Sequence, residues 1–224
     1  MSSFIENHPL EDLAVQILAG DAVLEGNLRI PASPSGLVLF VHGSGSSRFS
    51  PRNQYVAQLL NQAGLATLLF DLLTEEENQI DIITKELRFD IALLSRRTVG
   101  ALDWLTHQPQ IKELAVGLFG ASTGAAAALF AAEARPKQVS CVVSRGGRPD
   151  LAMPVLADVS SPTLLIVGGL DYQVLQLNEM AQQSMHTECE LTVIPGATHL
   201  FEEPGTLEQA AEAAKNWFVQ KLSH

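Results

Sequence analysis

The chain has 224 residues, of which 46% are hydrophobic and 17% are charged. This length and composition predict one globular domain over residues 1–224 and exclude a disordered chain. The formal net charge of −11 argues against nucleic acid as a partner, because a phosphate backbone attracts lysine and arginine. The N-terminal residues lack the basic start and apolar core of a signal peptide, and no apolar run approaches the roughly 20 residues that span a bilayer. A cytoplasmic location without membrane contact is therefore expected.

Short apolar strands alternate with amphipathic helices along most of the chain. An N-terminal hairpin is predicted first, and further strands and helices follow it. This alternation predicts an α/β fold, with a mostly parallel central sheet and helices on both of its faces. The predicted strands are residues 13–18, 22–30, 37–41, 65–70, 114–119, 139–143, 163–167 and 190–194, and the predicted helices are residues 52–63, 86–106, 125–132 and 207–218.

The acidic segment at residues 72–85 is predicted to be a solvated loop or short helix; a small flap over the site is the alternative. No other insertion is long enough for a lid. The sequence therefore predicts minimal or no cap domain and an open site. Core packing accounts for the apolar helix faces, so no oligomeric state follows from them.

The most informative motif is Gly120-Ala121-Ser122-Thr123-Gly124, which lies between an apolar strand and an alanine-rich helix. A sharp turn at this point lifts Ser122 out of the sheet, where a base can remove its proton. Glycines on both sides avoid crowding in the turn. A helix-capping serine is the alternative. The pattern favours a nucleophilic serine.

Two residues after later strands are candidate partners of Ser122. Asp171 follows the strand at residues 163–167, and His199 follows the strand at residues 190–194. The carboxyl ends of parallel strands meet at one edge of the sheet, and the order serine, aspartate, histidine is that of an α/β-hydrolase triad. Asp71 and Asp150 also follow strands; for both, a loop-capping role is favoured over orienting His199.

The remaining histidines, cysteines and tryptophans have structural interpretations. His42 follows a strand and is expected to order its loop. Free thiols are expected for the two cysteines, core positions for the two tryptophans and surface positions for the other four histidines. These residues are Cys141, Cys189, Trp104, Trp217, His8, His107, His186 and His224.

These motifs together resemble an α/β-hydrolase of the dienelactone-hydrolase-like group, over nearly the whole chain. The matching residues are His42-Gly43, the Gly120–Gly124 turn, Gly169-x-Asp171 and Gly196-x-x-His199. Dienelactone hydrolase itself uses a cysteine nucleophile, so Ser122 favours a general serine esterase over a lactone-specific enzyme.

Backbone donors for the negative charge on a substrate carbonyl are predicted at two places. Thr123 N–H is one candidate. Ser44 N–H in the glycine-rich loop after His42 is the second, with Gly43 as its alternative. Arg145 and Arg148 follow another strand and could bind a substrate carboxylate; an arginine–aspartate pair holding the loop is the alternative. Arg48 and Arg52 are interpreted as solvated, with anion binding as the alternative.

The leading functional hypothesis is hydrolysis of a small carboxylic ester, thioester or lactone through an acyl-serine. The expected partner is a small-molecule acyl substrate, and the open site predicts short acyl groups. No metal or cofactor is expected, because the sequence has no phosphate-binding glycine loop and no cluster of metal ligands. The alternatives are a peptidase or amidase with the same triad, and a hydrolase-like binding domain without turnover.

Overall fold

The central sheet has eight strands in the order β1-β2-β4-β3-β5-β6-β7-β8, in a computed structural model that describes residues 10–222. β2 is antiparallel to β1 and β4, and all other neighbours are parallel. The strands are β1 (Glu11–Ala19), β2 (Ala22–Ile30), β3 (Leu37–Val41), β4 (Ala66–Phe70), β5 (Val116–Ala121), β6 (Val139–Arg145), β7 (Thr163–Gly168) and β8 (Cys189–Ile194).

Helices cover both faces of this sheet. α1 and α6 pack on one face, where Val56, Leu60 and Phe218 are buried in a shared cluster. α3 and α4 pack on the other face, around Leu102 and Leu129. The predicted fold class is confirmed. The helices are α1 (Pro51–Gln62), α2 (Glu75–Thr84), α3 (Ile91–Leu105), α4 (Thr123–Ala134), α5 (Tyr172–Ser184) and α6 (Thr206–Leu222), with 3-10 helices at Leu87–Phe89 and Pro149–Asp158.

The middle of the sheet explains the apolar runs in the sequence. Every residue of β3, β4 and β5 is buried, because helices cover both faces of these strands. Burial of each large side chain, such as Phe40 or Phe119, contributes about 1.5–3 kcal/mol. The carboxyl ends of these strands therefore project from a rigid platform, and the loops at this edge carry the site.

Some predicted elements differ from those in the structure. The helix predicted at residues 86–106 begins at Ile91, because Asp90 caps it by accepting a hydrogen bond from Leu93 N–H. The strand predicted from residue 114 begins at Val116. Helix α5 was not predicted. The segment at residues 72–85 contains helix α2, whose Thr74 and Glu77 form a reciprocal capping box.

Within residues 10–222, no connection is long enough to form a separate cap domain. The 3-10 helix Pro149–Asp158, which follows β6, packs instead against α4 and α5. The same part of the chain contains no helix with the length and hydrophobicity needed to cross a lipid bilayer.

Both cysteines are free thiols. Cys141 is buried and Cys189 is partly buried, and burial raises their pKa values to about 12 and about 11. Trp217 is buried, and Trp104 packs against the core. His107 and His186 are exposed. His8 and His224 lie outside the described residues.

Candidate active site

Ser122 lies at a strained turn between β5 and α4. Its backbone φ is 51°, a left-handed value that serine rarely adopts. β5 ends at Ala121 and α4 begins at Thr123, so one residue makes the whole turn. This backbone geometry places the side chain at the carboxyl edge of the sheet, as the strand-turn-helix pattern predicted.

Two glycines make this turn sterically feasible. A Cβ at Gly120 would meet Ala125 N at 2.8 Å, and a Cβ at Gly124 would meet His42 O at 2.5 Å. Both contacts are with backbone atoms, which cannot rotate away. The turn therefore needs glycine at both positions.

The backbone of the β6 loop holds Ser122 from both sides. Ser122 N–H donates to Arg145 O at 3.2 Å, and Arg148 N–H donates to Ser122 O at 3.0 Å. The residue at the apex of the turn is thus fixed by the neighbouring strand as well as by its own helix.

The imidazole of His199 connects Ser122 to Asp171. Its Nδ1–H donates to Asp171 Oδ2 at 2.7 Å, and its Nε2 lies 3.4 Å from Ser122 Oγ. An ionised carboxylate only accepts hydrogen bonds, so Asp171 fixes the tautomer in which Nε2 is free to accept a proton. The structure therefore brings together the three side chains that the sequence singled out.

Asp171 occupies the N-cap position of α5, yet its carboxylate makes no capping hydrogen bond. The carboxylate is directed instead to His199. An N-cap side-chain bond typically stabilises a helix by about 1 kcal/mol, so the helix forgoes this contribution at the site. Leu170 N–H donates to Ala197 O at 2.9 Å, which joins the loop that carries Asp171 to the loop that carries His199.

A second contact orders the His199 loop. Glu203 accepts hydrogen bonds from Thr198 N–H at 3.0 Å and from Thr198 Oγ1–H at 2.5 Å. Both bonds lower the pKa of Glu203, and the bond from the Thr198 hydroxyl has the larger effect. The sequence analysis did not predict a role for Glu203. The available signal was a glutamate four residues after His199, in the loop that follows β8.

Ser122 and His199 line a cleft of about 250 Å³. No carboxylate is among its lining residues, because Asp171 lies behind the histidine ring. No residue of α2 lines it. The lining residues are Gly43, Ser44, Ser46, Ser50, Arg52, Asn53, Ala121, Ser122, Arg145, Gly146, His199 and Leu200. A larger acidic cleft of about 570 Å³ lies beside α2 and contains neither Ser122 nor His199.

The predicted oxyanion donors lie next to the nucleophile, and one of them is engaged. Thr123 opens α4, where the first N–H groups have no acceptor within the helix. Ser44 N–H, however, donates to Thr123 Oγ1 at 2.9 Å. Gly43 lies so close to Ser122 that a Cβ on it would meet Ser122 Cβ at 3.1 Å. Ser44 N–H can therefore reach a substrate only when the Thr123 side chain turns away.

His42 makes two contacts, neither of them with Ser122. Its Nδ1–H donates to Gly43 O at 2.9 Å, and its Nε2 accepts from Leu72 N–H at 3.1 Å. Burial lowers the pKa of His42, so the ring is neutral at neutral pH. These are the contacts of a residue that orders its loop.

The other candidate acids have arginine partners instead of histidine. Asp71 pairs with Arg48, whose backbone N–H also donates to the carboxylate at 2.7 Å. Asp150 accepts two hydrogen bonds from Arg148, each at 2.8 Å. The Arg148 side chain therefore holds its own loop.

The two arginines of the β6 loop differ in their contacts. Arg145 has no such carboxylate partner within residues 10–222 and lines the Ser122 cleft. Arg52 also lines this cleft, and its Nη1 lies 3.6 Å from Glu202 Oε1. In the described residues, no group of three or more His, Cys, Asp or Glu side chains could hold a metal ion.

The strand order, the serine turn and the histidine after the last strand define an α/β-hydrolase. The family model described as the dienelactone hydrolase family matches residues 25–223. A crystal structure of dienelactone hydrolase from Anabaena variabilis superposes with a TM-score of 0.95 at 58% identity, covering 96% of this chain and 100% of that chain. The chain belongs to the dienelactone hydrolase family.

More distant structures share the fold. Est1E from Butyrivibrio proteoclasticus has a TM-score of 0.80 at 15% identity, covering 94% of this chain and 99% of its own. Two curated relatives from two strains of Mycobacterium tuberculosis, each named a candidate phosphoribosyl transferase, are 56% identical over 216 residues. The match covers 96% of this chain but 47% of those relatives, so the chain spans about half their length.

Proposed function

We propose that this chain is a serine hydrolase that cleaves a small carboxylic ester, thioester or lactone through an acyl-serine intermediate. The observation that carries the proposal is the imidazole of His199, which bridges a hydroxyl at 3.4 Å and a carboxylate at 2.7 Å. A serine hydroxyl is a weak nucleophile by itself, and this arrangement supplies the base that activates it.

The proposed reaction assigns a role to each of the three residues. Ser122 Oγ attacks the acyl carbon while His199 Nε2 takes its proton, and His199 then gives this proton to the leaving oxygen or sulfur. Asp171 holds the ring and stabilises its cationic form. A water molecule, deprotonated in turn by His199, attacks the acyl-serine; the bond to Ser122 Oγ then breaks, His199 returns the proton to this oxygen, and the acid is released.

The oxyanion that forms on the carbonyl needs two donors. Thr123 N–H is the first. We propose Ser44 N–H as the second, released when Thr123 Oγ1 rotates away, and Gly43 N–H is the alternative. Loss of one such donor typically lowers kcat by about 10²–10³-fold.

We propose that residues 1–224 form one hydrolase domain, because the turns and loops that carry Ser122, Asp171 and His199 all follow strands of one continuous sheet. The M. tuberculosis relatives are about twice as long, and we propose that any transferase activity implied by their name belongs to the half that this chain does not span.

A fluorophosphonate probe tests the proposal. It should label the wild-type protein and the control Ser184→Ala, whose serine lies on α5 outside the cleft. It should not label Ser122→Ala. Labelling of Ser122→Ala, or no labelling of the wild-type protein, would refute the proposed nucleophile. A protein that is not labelled and turns over no ester would be the binding domain.

The same triad can cleave amides, so the substrate bond needs its own comparison. Short p-nitrophenyl esters and peptide anilides report the two activities. We expect turnover of the esters and little of the anilides. Faster cleavage of the anilides would make the protein a peptidase or amidase.

A further inference from the structure

Phe201 has a backbone conformation that a bulky residue rarely adopts. Its φ is 55°, in the left-handed region. Within residues 10–222, only two other residues besides glycine share this region: Lys85, which caps the C-terminus of α2, and Ser122 itself. A strained conformation of this kind persists only where its surroundings hold it. Phe201 follows His199 by two residues, so the strain lies in the loop that carries the proposed base.

The imidazole of His199 projects from a tight turn that Phe201 closes. Phe201 N–H donates to Thr198 O at 3.2 Å, so His199 and Leu200 are the two central residues of a four-residue turn. The first residue of this turn, Thr198, is held by its two hydrogen bonds to Glu203. The position of the imidazole therefore depends on what holds the last residue, Phe201.

Burial holds Phe201. Its side chain is 2% exposed and packs in the hydrophobic cluster beneath α1 and α6. The guanidinium carbon of the buried Arg145 lies 5.9 Å from the centre of the ring. A Cβ at Gly146 would meet Phe201 Cε2 at 3.3 Å and His199 O at 3.1 Å, so this glycine lets the β6 loop pack directly on the turn. The favourable burial of the ring offsets the strain of its backbone.

Phe201 has no direct access to a substrate. It is not among the residues that line the Ser122 cleft, whereas its neighbour Leu200, 42% exposed, does line it. An effect of Phe201 on the reaction must therefore pass through the position of His199. The distance of 3.4 Å between His199 Nε2 and Ser122 Oγ leaves little room for a shift, because a separation of about 3.6 Å is no longer a hydrogen bond.

We propose that Phe201 is a positioning residue for His199. The buried ring anchors the left-handed end of the turn from Thr198 to Phe201, and this anchor holds the imidazole within reach of both Ser122 and Asp171. A displacement of roughly 1 Å between reacting groups can lower a rate by about 100-fold. This inference rests on the proposed hydrolase function and adds a residue to its machinery.

Variants of two buried phenylalanines test the proposal. Phe201→Leu and Phe201→Ala remove part or all of the anchor. Phe218→Leu is the matched control, because Phe218 is buried in the same hydrophobic cluster but lies on α6 against Gly117, outside the Ser122 cleft. For each variant, kcat and KM for p-nitrophenyl acetate are measured at a temperature where circular dichroism shows the protein to be folded, and urea unfolding gives its stability.

Phe201→Leu should lose roughly 10-fold and Phe201→Ala roughly 100-fold in kcat, since leucine keeps part of the buried anchor. KM should change by less than about twofold in both, because Phe201 does not line the cleft. Phe218→Leu should lose stability as well but keep the wild-type kcat. A loss of stability by itself would not produce this difference between the two phenylalanines.

Three results would overturn the positioning role: a wild-type kcat in both Phe201 variants, a loss that appears in KM instead of kcat, or an equal loss of kcat in Phe218→Leu. If Phe201→Ala does not fold, Phe201→Leu decides by the same criteria. Ester hydrolysis that survives in Ser122→Ala would instead refute the proposed hydrolase function. An inactive Ser122→Ala together with fully active Phe201 variants would refute the positioning role alone.

Discussion

Ser122 and Arg145 are joined through their backbones, since the N–H of the serine donates to the carbonyl of the arginine at 3.2 Å. The strained turn of β5 is thus held by the strand that also carries the buried cation. Substitutions at the tip of β6 can therefore move the nucleophile as well as change the lining of the cleft.

His199→Ala should abolish ester hydrolysis while leaving thermal stability nearly unchanged. The ring is partly exposed and its two contacts are with the site, so its loss removes the base without opening the core. Removal of a triad residue typically lowers kcat by about 10⁴-fold or more. Steady-state kinetics and thermal unfolding measure both effects. His107→Ala, at an exposed histidine, should change neither; a large loss of stability in His199→Ala would indicate a structural histidine.

Gly124→Ala should destabilise the protein by about 1–3 kcal/mol, the usual cost of overpacking. The new Cβ would press on the carbonyls of Val41 and His42, at the base of the serine turn. The turn would have to shift, so hydrolysis should fall as well. Urea unfolding measures the free energy. An unchanged unfolding midpoint with full activity would show that the turn does not need this glycine.

Arg148→Gln should lower stability by at most about 1 kcal/mol, because its pair with Asp150 is partly exposed. The rate of ester hydrolysis should not change, since this side chain serves its own loop. A double-mutant cycle with Asp150→Asn measures the pair. A raised KM for esters in Arg148→Gln would show instead that Arg148 binds substrate.

The neutral state of His42 predicts a dependence of stability on pH. Burial lowers the pKa of His42 below its usual value of about 6.5, so below that pH the unfolded chain binds a proton that the folded chain does not. The contribution of His42 to stability is complete above pH 6.5 and declines as the pH falls toward the lowered pKa. Urea unfolding between pH 5 and 8 should show this decline, and His42→Gln should flatten it. An equally steep decline in the variant would assign the effect to other groups.

Much of the fold could be predicted because strands and helices leave periodic patterns. β2 and β3 begin and end at the predicted residues, since β3 is a continuous apolar run, β2 alternates buried with more exposed positions, and turn residues flank both. The start of α3 was missed because Asp90 ends one element and caps the next. Helix α5 was missed because its buried face is sparse, with Val174, Asn178 and Ala181 the buried positions.

The candidate site could be predicted where a side chain suited to catalysis lies just after a predicted strand. Ser122, Asp171 and His199 each follow a strand, so the sheet had to bring their loops to one edge; their roles stay predictions. Contacts between distant segments were not predictable. Nothing local to Asn53 indicates that it faces Arg145, 92 residues away along the chain, or that Thr123 Oγ1 engages Ser44 N–H.

The hydrogen bond from Leu170 to Ala197 determines which part of the site is adjustable. Because the acid loop and the histidine loop are tied through their backbones, Asp171 and His199 should shift together as one body. The serine is fixed separately, by β6 and α4. If a substrate changes the geometry of the site, we therefore expect the distance from imidazole to hydroxyl to change and the Asp171–His199 contact to stay the same.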